Sequence, residues 1–389
     1  MSYNMYIPTR TLFGAGELNN LHTQKMQGKK AIIVISNGKS TKANGYLART
    51  EEQLELACVE YVLFDKVESN PLKSTVMAGG AFAKENDCDF VVALGGGSCI
   101  DAAKAIAVMA ANDGDYWDYI PTGSGKGKPV ENKPLPVVAI TTTAGTGSET
   151  DPWAVVTHEE NHEKIGMGYD DTFPVIAVVD PELMTTVPPK FTAYQGFDAL
   201  FHSVEGYVSK GVNLMSDMYA ITAIRNVARN LAKAVKDGND LDAREKVAFG
   251  STLSGTVECV GLCTSQHALE HAMSAFHQEL PHGAGLIMIS KAYFTHFINK
   301  HVCDDRFVKM ARAMGMVDAK EPMDFITMLI KLMEDCGVAD LKMSDYGIKP
   351  EEFETLAKNA KETMGHLFGA DRSELGIDDC IDIFTKSYK

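Results

Sequence analysis

Five short runs of almost uninterrupted aliphatic and β-branched residues fall within the first 180 positions: 31–36 (AIIVIS), 59–64 (VEYVLF), 90–94 (FVVAL), 135–141 (LPVVAIT) and 175–180 (VIAVVD). A strand with one wet face alternates apolar and polar residues. A run without alternation belongs in a parallel sheet covered on both sides. Amphipathic stretches at 72–85 and 99–110 lie between these runs, so strand follows helix follows strand. That order predicts an open, wound α/β domain. After Asp180-Pro181 the pattern changes. Segments of 3.6-residue period occupy 193–209, 214–235, 243–260, 265–275, 284–297 and 322–336, and no convincing strand follows Tyr194. Val187-Pro188-Pro189 marks the junction, because paired prolines resist both helix interior and central strand. The expected organisation is an α/β domain over 1–186 and an all-helical domain over 187–389. The stretch 123–128 (GSGKGK) reads as a flexible surface loop.

A chain of 389 residues has the length of two ordinary domains. With 45% hydrophobic and 23% charged residues it has globular composition. No apolar run reaches the roughly 18 residues of a membrane helix. The opening MSYNMY lacks the basic and apolar segments of a signal peptide. A cytoplasmic protein without a membrane partner is expected. The net charge of -15, with no basic cluster, argues against nucleic-acid binding. The eight cysteines are scattered, with no Cys-x-x-Cys pair, and read as free thiols.

Gly95-Gly96-Gly97-Ser98 directly follows the FVVAL run and opens a helix. A glycine turn there lets backbone N–H groups approach a pyrophosphate, helped by the helix dipole. The spacing is not Gly-x-Gly-x-x-Gly, since Asp101 stands near the third glycine position, and alone it is equally a structural turn. A second stretch, 141–149 (TTTAGTGSE), also follows a strand and offers five hydroxyls with two glycines. Two polar turns at strand C-termini together point to a nucleotide crevice. Gly38-Lys39-Ser40-Thr41 resembles the end of a P-loop, but Ile33 occupies the position of its first glycine, which excludes that reading.

In the second half, Asp198 and His202 are four apart on one helical face, where a single cation joins them. His267, His271, His277 and His282 place four of eleven histidines within 16 residues. This set points to a metal. His267-x-x-Glu270-His271 also fits the H-x-x-E-H pattern of inverted zinc peptidases, in which both histidines bind zinc and the glutamate activates water. That reading leaves the glycine turns and the Asp198/His202 pair without a role.

The combination resembles the iron-containing (group III) alcohol dehydrogenases, especially their butanol dehydrogenase-like branch. The resemblance rests on Gly95-Gly96-Gly97-Ser98 with Asp101 and Lys104, Thr142 to Glu149, Gly196-Phe197-Asp198-Ala199-Leu200 with His202, and His267 with His271 followed by Pro281-His282-Gly283. It implies a Rossmann-like dinucleotide-binding domain and an all-α domain of dehydroquinate synthase-like architecture, with the active site between them and a homodimer as the assembly. It implies Asp198, His202, His267 and His282 as metal ligands, with His271 beside the nicotinamide. It also implies Gly38, Ser40, Asn70, Gly95, Gly96, Gly97, Ser98, Asp101, Thr142, Thr143, Thr146, Lys164 and Leu183 around the dinucleotide. Eleven positions separate His271 from His282, one more than in the commoner family form. The extra residue falls near His277, read as a bystander.

One carboxylate and three imidazoles suit Fe²⁺ or Zn²⁺, and the resemblance favours iron. Such an ion acts as a Lewis acid on an alcohol or aldehyde. The first strand ends Ser36-Asn37-Gly38-Lys39-Ser40, without the acid that would hydrogen-bond a ribose 2′-hydroxyl. Lys39 and Ser40 suit a 2′-phosphate, which favours NADP(H) over NAD(H). Small and apolar residues near the metal segment (Cys259, Val260, Leu262, Cys263, Phe276) favour a short-chain primary alcohol or aldehyde. Polyol oxidation of the glycerol dehydrogenase type and a dehydroquinate synthase-type lyase are the alternatives on this scaffold.

Overall fold

The computed structural model describes residues 3–389. The chain divides into two compact units, one of residues 6–143 and 147–186, the other of 187–389 with the short segments 3–5 and 144–146.

The first unit is built on six parallel strands: β1 (Arg10–Phe13), β2 (Lys30–Ser36), β3 (Glu60–Val67), β4 (Phe90–Gly95), β5 (Val137–Thr141) and β8 (Ile176–Val179). Their order across the sheet is β1-β8-β5-β4-β2-β3. β4 is buried at every position, and β2 at all but its two ends. This is why those runs carry no alternation. Helices α1 (Ser40–Ala43), α2 (Tyr46–Leu56), α3 (Lys73–Glu85) and α4 (Gly97–Ala111) make the crossovers. Ile33, Leu94 and Val178 belong to the apolar layer on one face, and Ile32, Val91 and Ile106 to that on the other. Between β2 and β4 the connections turn from one side of the sheet to the other. At such a switch point the loops beyond the strand C-termini part and leave a crevice. The turns after β2 and β4, which carry Gly38 and Gly95–Gly97, flank it.

Three strands escape the sequence pattern, the edge strand β1 and two others. β6 (Ala154–His158) and β7 (Glu163–Met167) form a separate antiparallel hairpin. Its buried Glu163 accepts from Trp117 Nε1 at 3.0 Å and from the Ser124 backbone N–H at 2.8 Å. The 123–128 stretch is therefore tied down, with Lys126 and Lys128 both paired to Asp118, at 2.6 and 2.7 Å. This corrects the expectation of a flexible loop: the glycines shape a turn that a buried carboxylate then fixes.

The second unit contains only helices among the described residues: α5 (Pro189–Val208), α6 (Leu214–Lys236), α7 (Leu241–Gly261), α8 (Ser265–Phe276), α9 (His282–Asn299), α10 (Asp304–Met314), α11 (Asp324–Asp335), α12 (Phe353–Ala370) and α13 (Ile377–Ser387), with short 3₁₀ turns between them. Pro189 begins α5, where a missing N–H leaves no bond unmade. No helix among the described residues is long and apolar enough to cross a membrane. All eight cysteines are free.

Candidate metal centre and dinucleotide turns

α5 presents Asp198 and His202 on one buried face, α8 contributes His267, and His282 is the first residue of α9. α9 comes close to α5 because residue 283 is glycine. A Cβ there would lie 2.1 Å from the Tyr194 carbonyl oxygen. Asp198 Oδ1 is 3.7 Å from His202 Nε2, 3.6 Å from His267 Nε2 and 3.4 Å from His282 Nε2. Donor atoms on a tetrahedral ion with bonds near 2.1 Å are separated by roughly 3.4 Å, so these spacings fit one shared cation. Asp198 Oδ1 and His267 Nε2 are buried and make no hydrogen bond. Buried polar atoms left in that state are rare, and a cation satisfies them together.

Behind the imidazoles stand three more carboxylates. His267 Nδ1 lies 2.5 Å from Glu205 Oε1, His202 Nδ1 lies 3.4 Å from Glu258 Oε1, and His282 Nδ1 is hydrogen-bonded to Glu270 Oε2. Glu205 and Glu270 favour the tautomer with the proton on Nδ1 of His267 and His282, which leaves their Nε2 lone pairs facing Asp198, whereas Glu258 lies near His202 Nδ1 without a hydrogen bond to it. Glu205 also accepts from the Thr264 N–H and hydroxyl, at 2.8 and 2.9 Å, which ties the start of α8 to α5. Glu205 and Glu258 have no place in the sequence reading.

The electrostatics agree. Burial alone would raise the Asp198 carboxyl, but the imidazoles of His202 and His282 hold it well below the usual carboxylate range. Burial holds His202 down to about 3, so it stays neutral and able to ligate. Burial also opposes a charge on His267, yet Glu205 and Asp198 outweigh it and push that group up to about 10. The carboxylates thus favour positive charge at this point.

The peptidase alternative fails here. His271 is buried in the same helix but does not belong to the four-donor group, its ring lying 6.3 Å from that of His267 and 5.4 Å from that of His282. Glu270 is turned to His282 instead of facing a water between two ligands. His277 lies outside the group, with Nε2 3.3 Å from Glu352 Oε1. Before Pro281 the chain makes a turn in which the Leu280 N–H donates to the His277 carbonyl.

In the α/β unit the two predicted turns touch. The Thr142 N–H donates to the Gly95 carbonyl at 2.9 Å. A Cβ on Gly96 would strike Thr143 Cγ2 at 2.9 Å, and one on Gly95 would strike Cys99 Sγ at 2.5 Å. The chain's own packing requires glycine there. Gly97 and Ser98 open α4, Asn70 adopts a left-handed conformation (φ 54°), and Lys164 Nζ donates to Asn70 Oδ1 at 3.1 Å. Gly38 and Ser40 are exposed at the turn from β2 into α1. Asp101 is buried, and Leu183 is wholly enclosed in an apolar layer of the sheet. Thr146 falls in the segment grouped with the helical unit, whose Gly145 packs on Gln195.

Two family models match, "iron-containing alcohol dehydrogenase" over residues 8–181 and "Fe-containing alcohol dehydrogenase family, C-terminal" over residues 192–388. The chain is 32% identical over 377 residues to an NAD-dependent methanol dehydrogenase of Bacillus methanolicus, covering 93% of this chain and 94% of that protein. It is 30% identical to the NADH-dependent butanol dehydrogenase A of Clostridium acetobutylicum, covering 100% of both. Among solved structures it is similar to an archaeal halo-thermophilic alcohol dehydrogenase from a Red Sea brine pool. That match has a TM-score of 0.94 and 34% identity, over 100% of this chain and 99% of the other.

Proposed function

The chain belongs to the iron-containing alcohol dehydrogenase family and is a metal-dependent alcohol dehydrogenase; from that premise we propose that it interconverts short-chain primary alcohols and their aldehydes, with Fe²⁺ as the ion and NADP(H) as the hydride carrier. The carrying observation is the single carboxylate oxygen, Asp198 Oδ1, faced by three imidazole Nε2 atoms at 3.4–3.7 Å. When bound, a divalent ion supplies Lewis acidity that lowers the pKa of an alcohol hydroxyl or polarises an aldehyde carbonyl, and the dinucleotide supplies or takes the hydride. Asp198, His202, His267 and His282 hold that ion. Glu205 and Glu270 orient the imidazoles of His267 and His282 and keep their Nε2 atoms free to ligate, and Glu258 adds negative charge beside His202. Named relatives act on methanol, 1,3-propanediol and butanol, which supports a short primary alcohol. An anaerobic assay with Fe²⁺, butyraldehyde and NADPH, followed by loss of nicotinamide absorbance, is expected to show turnover. Its absence with every short aldehyde, in protein holding a full equivalent of iron, would overturn the reading. A cytoplasmic homodimer belongs to the same proposal and rests on the family resemblance.

His271 is proposed to relay the hydroxyl proton. It sits one turn from His267 on α8, buried and beside His282, yet outside the ligand group. His271→Ala is expected to keep its metal while kcat falls by ~10²-fold or more, the usual size of a lost acid–base group. Metal content and turnover falling together would instead make it a ligand.

The preference for NADP(H) is supported by the turn after β2, where Gly38, Lys39 and Ser40 are exposed and residues 36–40 include no carboxylate. Catalytic efficiency with NADPH is expected to exceed that with NADH by roughly tenfold or more, the value of one charge-assisted hydrogen bond. A clear advantage for NADH in the same assay would reject the preference.

A further inference from the structure

We propose that Lys104 is a positioning residue for the dinucleotide, locking together the two turns that cradle it. The inference rests on reading those turns as the phosphate-binding site. Lys104 is 0% exposed, two turns into α4 from Gly97. Its ammonium spends all three donors within the protein: on Ser148 Oγ at 2.7 Å, Asp151 Oδ1 at 3.0 Å and the Trp153 carbonyl at 2.8 Å. Ser148 Oγ in turn donates to Asp101 Oδ1 at 2.6 Å, and the Val155 N–H donates to Asp101 Oδ2 at 3.2 Å. Two charged residues of α4, one turn apart, are thereby stitched to the segment 148–155. That segment leaves the second turn and runs into β6.

A lysine at this place is a poor choice for filling space, since an apolar side chain of similar volume avoids the desolvation of a buried charge. What the lysine provides is direction. α4 carries the first turn at its N-terminus, and the segment 148–155 carries the second at its upstream end. Near the turns themselves the links are the β4–β5 pairing, which ends at Gly95 and Thr141, the Thr142 to Gly95 backbone bond and the Gly96–Thr143 contact. Lys104 supplies the link behind them, so that α4 cannot shift along or rotate against the hydroxyl-rich turn. Asp101 belongs to the same brace. Each of its oxygens accepts from the protein, and it acts through Ser148. Backbone N–H groups recognise a pyrophosphate only when both turns hold their register, and small displacements of such groups are felt strongly in binding.

Lys104→Met and Ser148→Ala in the metal-loaded enzyme test this. Kd for NADPH and NADH is read by titration, KM and kcat by steady-state kinetics, metal by elemental analysis and folding by thermal denaturation. For Lys104→Met, the dinucleotide Kd and KM are expected to rise roughly tenfold or more, with kcat at saturation within about threefold. Bound metal and the alcohol KM should match the unaltered protein. A lysine that merely supports the fold would lower the active fraction, and so kcat, with Kd unmoved; that result overturns the proposal. If Lys104→Met does not fold, Ser148→Ala decides. It removes only the bridging hydroxyl and should weaken dinucleotide binding roughly threefold or more. Unchanged affinity there overturns the brace while leaving the turns as the binding site. Failure of the unaltered protein to bind either dinucleotide overturns the turns and the brace together.

Discussion

Asp198→Ala yields a folded protein that retains less than about a tenth of an equivalent of iron or zinc, with turnover lower by ~10³-fold or more, as expected when a Lewis acid is lost. The residue sits at the middle of the donor set, within 3.7 Å of three imidazole nitrogens. It also supplies the set's one negative charge. Without it three neutral rings remain, gathered by carboxylates that lie behind them. A dication would then have to be held by imidazoles alone, with no anionic donor among them. Elemental analysis after dialysis, beside the rate with butanol and butyraldehyde, measures both effects. A full equivalent of metal in the variant would place the ion elsewhere.

Glu205→Gln is the second large effect, at a residue that would not touch the ion. Glu205 is wholly buried, and its two oxygens serve His267 Nδ1, the Thr264 N–H and the Thr264 hydroxyl. An amide has one oxygen for three donors, and its NH₂ group faces at least one of them. Metal affinity should weaken by ~10–100-fold, the usual result of removing a carboxylate behind a ligating histidine. Stability should fall by about 1–3 kcal/mol for a buried donor left unpaired. Competition with a chromophoric chelator and a melting curve read the two. Unaltered metal affinity with lowered stability would confine Glu205 to holding α8 in place.

What the sequence makes legible follows from how each element hides its polar groups. β2, β4, β5 and β8 are buried on both faces and are almost wholly apolar along their length, so their runs mark them directly. β1 has four residues, half of them exposed, at the edge of the sheet. β7 escapes the pattern because its charged Glu163 and Lys164 are buried through partners, Trp117 and Asn70, that lie far away in the chain. The metal centre divides in the same way. Asp198, His202 and Glu205 occupy positions i, i+4 and i+7 of one helix, so helical periodicity alone places Glu205 on the face of the metal pair. Glu258 lies on α7, and no local spacing connects it to His202. The peptidase-like H-x-x-E-H string shows the limit of motif reading, because rotation about α8 sends Glu270 to a histidine eleven residues beyond His271.

The contact between the two glycine-bearing turns also limits redesign. Gly95 and Gly96 are confined by Cys99 and Thr143. Positions 38–40, in contrast, lie open at the end of β2. An engineer seeking to change which nicotinamide coenzyme is consumed can vary those three residues widely, while any side chain introduced at 95 or 96 would wedge the cradle apart before coenzyme arrived.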